Sequence, residues 1–159
     1  MNNLAIARAI HVLAVVLWIG GVAMVTTVIL PVVRRARTPT EGQELLNAVE
    51  RRFVWQARIA TLLVAASGFY MADRLKLWDR FSSIQFWWMH AMVLLWLIFT
   101  FVLFIGEPMA ARIHRDHRLQ PASKGQLALI QWLHWALLLL SAITVLAAVA
   151  GSHGMSLVP

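Results

Sequence analysis

The chain has 159 residues, no cysteine and a formal net charge of +7, with 60% hydrophobic and only 13% charged residues. A soluble domain carries about 25% charged and about 45–50% apolar residues, so lipid is the expected solvent for most of this chain, which reads as one domain. Lacking thiols excludes disulfides, iron–sulfur clusters and cysteine zinc sites, and the basic residues fall between apolar runs, where they orient spans and meet lipid phosphates rather than nucleic acid.

A membrane span needs about 20 mostly apolar residues, and four segments qualify. The first covers 4–31 and is expected to close at Pro31. It exceeds a signal-peptide core of about 7–15 residues, and no A-x-A site follows it. The connection 32–52 is polar; its stretch "TPTEGQELLNAVERR" has a cap-like Thr40 and helical spacing at Leu45, Leu46 and Val49, which predicts a surface helix running into span two. Span two covers 53–72. Span three covers 84–106 and is expected to close at Gly106-Glu107-Pro108. The polar loop 107–125 leads to span four, 126–150, which ends at Gly151. No internal repeat or low-complexity tract is visible. The predicted fold is all-α, an integral membrane four-helix bundle.

Charge orients it. Loops 32–52 and 107–125 hold nine Lys and Arg residues: Arg34, Arg35, Arg37, Arg51, Arg52, Arg112, Arg115, Arg118 and Lys124. The opposite side has four: Arg8, Arg74, Lys76 and Arg80. The positive-inside rule puts the two basic loops in the cytoplasm and both termini outside. A bacterial-type cytoplasmic membrane is the expected location. Trp78, Trp87, Trp88 and Trp132 lie near span ends, where interfacial aromatics collect.

Histidines inside spans are functional candidates. His11, in "IHVLAVVLWIGG", and His90, in "FWWMHAMVLLW", both lie roughly 9–11 Å below the outer boundary at about 1.5 Å per residue. Two imidazoles at one depth on different helices are suited to the axial positions of one haem b. Ala14, Val15, Trp18, Val22 and Val25 share the His11 face; Phe86, Val93, Leu94, Leu97 and Phe101 share that of His90. Gly20, Gly21 and Ala65–Gly68 allow close approach of a porphyrin or of a neighbouring helix. Arg8, Arg74 and Arg80 are placed to pair with propionates or simply to face solvent.

His134 lies about 12 Å in from the inner side, sharing a face with Gln131 and Ser141. It suits a helix-to-helix hydrogen bond, a second haem, or a proton relay to a quinone. Arg58 is a full charge inside span two; Glu107 is its expected partner, with a propionate as the alternative. His114, Asp116 and His117 in "RIHRDHR" suit a surface copper or zinc site, or lipid phosphates. Of the seven methionines only Met89 and Met92 show M-x-x-M spacing and the others are scattered; no hydrolase motif or P-loop is present.

At "ARAIHVLAVVLWIGG" and "FWWMHAMVLLW" the chain resembles the superfamily joining the copper-resistance protein D domain with the bacterial haem-linked membrane protoporphyrinogen oxidase. The resemblance rests on a histidine early in the first span, a W-x-G-G stretch and a histidine at the start of the third: here His11, Trp18, Gly20, Gly21 and His90. It implies a helical membrane bundle with b-type haem. The oxidase branch carries a lysine two residues after the third-span histidine, and here that residue is Met92. The expected function is a membrane b-type cytochrome that transfers electrons, with a quinone or membrane redox protein as partner. Protoporphyrinogen IX oxidation and copper handling or transport are the alternatives.

Overall fold

The structure, a computed structural model, describes residues 2–109, 112 and 124–155, and every regular element among them is helical. The order is α1 (Asn2–Met24), a π-helical turn (Val25–Ile29), α2 (Leu30–Arg34), α3 (Pro39–Arg74), two 3₁₀ turns (Trp78–Ser82 and Ile84–Phe86), α4 (Trp87–Phe101), a second π turn (Val102–Gly106) and α5 (Lys124–Ser152). Among the described residues, three helical stretches are long and apolar enough to cross a membrane: Asn3–Arg34, Ile84–Met109 and Gly125–Ser152. Their surfaces show why. Ile6, Val12, Leu13, Val16, Leu94, Leu97, Phe101, Leu139 and Leu146 all point outward, an arrangement that water would penalise and lipid tails accept.

The chain does not stop at Pro31. Proline lacks an N–H and its ring clashes with the preceding turn; a π turn just before it supplies the extra residue that absorbs the clash. The Leu30 N–H reaches back to the Val25 carbonyl, and the helix continues to Arg34. The same solution recurs at Pro108: after the π turn Val102–Gly106, the Glu107 N–H bonds to the Val102 carbonyl and helix resumes through Met109. Both expected closures are therefore corrected by the same backbone device.

The first connection also differs from the sequence expectation. The surface helix and the second apolar run form one continuous α3 of 36 residues, about 54 Å long at the usual rise. Its N-cap is Thr38 rather than Thr40. The Thr38 hydroxyl accepts from the Glu41 N–H, and the Glu41 carboxylate accepts from the Thr38 N–H, a reciprocal capping box that leaves Pro39 at the first helical position.

Neighbouring helices run antiparallel. Along α1 and α3, Gly21 lies against Phe53, the Leu17 carbonyl accepts from Gln56, and His11 lies against Gly68. Trp96 of α4 donates to the Thr61 carbonyl of α3, and Trp88 of α4 lies over Gly151 of α5. The core they enclose is Ala14, Trp18, Val22, Ala60, Val64 and Phe99, flanked by Leu137 and Leu138. At its centre the Trp18 and Phe99 rings meet edge to face, 4.9 Å apart.

Candidate functional site

His11 is held by α3. Its Nδ1 lies 3.1 Å from the Val64 carbonyl and 3.0 Å from the Ser67 hydroxyl oxygen. A carbonyl only accepts, so Nδ1 carries the proton and shares it between the two oxygens. The Ser67 hydroxyl is free to accept because its own proton goes to the Leu63 carbonyl. Gly68 completes the cradle: a Cβ there would sit 3.2 Å from His11 Cε1. His11 is thus fixed through an Nδ1–H donor, and among the described residues its Nε2 has no hydrogen-bond partner.

His90 has the opposite arrangement. Its Nε2 lies 3.0 Å from the Phe81 carbonyl, which only accepts, so Nε2 is the donor. The residue is exposed, and Leu94, Leu97 and Phe101 on its face are also exposed. The buried side of α4 is Trp88, Met89, Leu95 and Phe99. His90 belongs instead to an outer aromatic row. Phe81 lies edge-on to it at 5.3 Å, Trp78 stacks on Phe81, and Phe69 stacks on Trp78.

The remaining expected site residues fall in different places. Trp18, Val22 and Val25 are buried, as their shared face with His11 implies. Gly21 lies beneath the Phe53 ring, which a Cβ would overlap, whereas Gly20 has open space around it. Arg8, Arg74 and Arg80 are exposed; the Arg74 and Arg80 guanidinium groups lie over Tyr70 and Phe86. His134 is half-buried, and its Nδ1 donates to the Ile130 carbonyl of its own helix at 2.9 Å. Gln131, one turn earlier, accepts from Arg34. His114, Asp116 and His117 lie outside the described residues.

Arg58 meets its expected partner Glu107 at 2.8 Å. It also does something the sequence did not reveal. Its Nε and Nη2 donate to the Leu103 carbonyl at 3.0 and 2.8 Å. In the π register that carbonyl would accept from residue 108, and residue 108 is proline. Arg58 supplies the donor that Pro108 lacks.

Sequence reasoning placed Ser67 and Gly68 in a helix-approach motif but did not connect them to His11. The signal was register: antiparallel pairing of Gly21 with Phe53 carries His11 to the level of Leu63 and Val64, one turn before Ser67 and Gly68. Among the described residues no group of three or more His, Asp or Glu is arranged to hold a metal ion. No family model matches the chain, and neither a curated protein nor a solved structure matches it.

Proposed function

We propose that this chain is a membrane b-type cytochrome in which His11 is the anchored axial ligand of one haem. One observation carries the reading. A metal-ligating histidine characteristically donates its second ring N–H to a carbonyl or carboxylate, which fixes tautomer and orientation; His11 makes that bond to Val64 and Ser67 and leaves Nε2 open. The bare Gly68 keeps the ring seated. Bound haem would supply one-electron redox chemistry.

The fit is asymmetric. His11 fits as it stands; His90 also donates one ring N–H to a carbonyl, but it is exposed and faces outward, so it fits as the second ligand only after the ring turns inward and gives up the Phe81 bond. A neutral hydrogen bond contributes about 0.5–1.5 kcal/mol net, which an iron–imidazole bond can replace. Haem retention should therefore depend on His11 far more than on His90. His11→Ala should abolish haem binding, whereas His90→Ala should keep haem but change its spin state. Equal retention of haem in both variants would remove His11 from this role.

The reading includes a four-span topology, with the 32–52 and 107–125 loops cytoplasmic and both termini outside a bacterial-type cytoplasmic membrane. The support is geometric: α3 lies along the membrane-crossing first helix from Phe53 to Gly68, so its second half shares that helix's depth. A quinone or membrane redox protein is the proposed electron partner. Protoporphyrinogen oxidation and copper handling are the alternatives; no contact among the described residues favours either.

A further inference from the structure

The first apolar stretch, Asn3–Arg34, has 32 residues, about 48 Å at the usual rise, whereas a hydrocarbon core is about 30 Å thick. A long span commonly absorbs such a surplus by tilting. Here the neighbouring helix opposes it. Gly21 lies against Phe53, and further along a Cβ at Gly42 would sit 3.0 Å from the Val33 carbonyl. Residues 22–34 therefore run beside residues 39–52, the polar half of α3. Glu41, Glu44 and Arg52 are exposed there. Tilting the pair far enough to hide 22–34 would draw these charges into hydrocarbon, a costly placement. Up to the Gly21–Phe53 pair the lengths do match, since residues 3–21 and 53–72 each cover about 28–30 Å.

The far half of this helical hairpin is not built for water either. Met24, Val28 and Val32 recur every four residues and are 47%, 52% and 50% exposed. The exposed Thr27 gives its hydroxyl proton to the Ala23 carbonyl at 2.8 Å, so it is satisfied without solvent. Nor does the tip stand away from the membrane. Arg34 donates to Gln131 of α5, and Gln131 lies within the apolar stretch Gly125–Ser152. Arg34, Arg35 and Arg37 are exposed around that tip. The π turn Val25–Ile29 and Pro31 also fall here, and both are features at which helices change direction.

We infer that the hairpin beyond the Gly21–Phe53 pair, residues 22–52, lies in the headgroup layer of one leaflet, and that only residues 3–21 of the first apolar stretch cross the hydrocarbon. The leaflet is the one on the side of the 32–52 loop. Lipid is the partner that covers Met24, Val28 and Val32. An apolar stripe beside exposed arginines suits acyl chains lying under anionic phosphates. A second copy of the chain docked on the same stripe would bring like charges together, which opposes association. The inference needs a bilayer around the chain and nothing more; it rests neither on haem nor on which side faces the cytoplasm.

The chain has no cysteine, so single-cysteine variants of the full chain can be spin-labelled without background. Leu13→Cys, Gly20→Cys, Val28→Cys, Val32→Cys and Glu44→Cys all alter exposed positions, where a label disturbs little packing. Each is reconstituted in vesicles of phosphatidylcholine and phosphatidylglycerol. Label depth is read from collisions with oxygen, which concentrates in lipid, against a water-soluble nickel chelate. The label at Leu13 should be the deepest. Those at Gly20, Val28 and Val32 should all lie within about 10 Å of the phosphates, and that at Glu44 in water. A label at Gly20 deeper than at Leu13 would mean that the whole stretch crosses obliquely, and would overturn the inference. So would labels at Val28 and Val32 as accessible to nickel as the one at Glu44, since the hairpin would then stand in water. Labels there shielded from both reagents would show a protein covering the stripe, a second copy included, and would overturn lipid as its partner.

Discussion

Arg58 and Leu103 lie on different helices, and the guanidinium gives the Leu103 carbonyl two hydrogen bonds at 3.0 and 2.8 Å. Pro108 could not give one. A charge that looks expensive in the sequence of an apolar helix thus closes a backbone defect in its neighbour, while Glu107 neutralises it from the same turn.

Arg58→Ala should therefore uncouple two helices. Breaking a fully buried ion pair costs about 3–5 kcal/mol; with the two side chains 23% and 32% exposed, a loss of about 1–3 kcal/mol is expected. Pro108→Ala restores an N–H that can reach Leu103, so the loss from Arg58→Ala should shrink in that background. A double-mutant cycle by denaturation measures the coupling. An additive cycle would mean that Arg58 acts only through Glu107.

The adjacent glycines Gly20 and Gly21 should behave in opposite ways. Gly20 has nothing within 4 Å of a new Cβ, so Gly20→Ala should be neutral or stabilise by up to about 1 kcal/mol through helix propensity. Gly21→Ala forces a methyl into Phe53, and overpacking of this kind costs about 1–3 kcal/mol. The denaturation midpoints of the two variants, read side by side, check the α1–α3 register.

At the other end of the assembly, Gly151→Ala places a methyl 2.5 Å from Trp88 Nε1. That contact is part of the cluster of Trp88, Met89 and Ala147. The expected cost is again about 1–3 kcal/mol, and a blue or red shift in tryptophan emission should accompany it. Unchanged emission and stability would mean that α4 and α5 separate easily here.

Gly68→Ala tests the His11 cradle without touching a proposed ligand. The new Cβ, 3.2 Å from His11 Cε1, should tilt the ring off Val64 and Ser67. Haem occupancy at fixed haem supply should fall several-fold while helicity by circular dichroism stays unchanged. Ser67→Ala removes only one of the two acceptors and should have a smaller effect, since the Val64 carbonyl remains.

The sequence made the helical class, three of the apolar runs and the Arg58–Glu107 pair readable, because each follows from composition or from a charge that must find a partner. The inward face of α4 was not readable. Almost every position there is apolar, so periodicity has no contrast; Leu94, Leu97 and Phe101 share the His90 face and point outward with it. On α1 the small and large residues differ enough for Ala14, Trp18 and Val22 to mark the buried side. Pro31 and Pro108 read as stops because proline usually ends a helix, and only the backbone shows a π turn absorbing each one. The His11 partners were hidden for another reason: they are 53 and 56 residues away in sequence, and one of them is a backbone carbonyl with no sequence signature.

The first measurement is the absorption spectrum of the detergent-purified chain and of His11→Ala, both expressed with supplemented haem, before and after dithionite. The parent should show a sharp Soret band with resolved reduced α and β bands, and the variant should show neither despite native helicity. A featureless parent spectrum from folded protein, or a haem spectrum that survives His11→Ala intact, would contradict the assignment of His11 as a haem ligand.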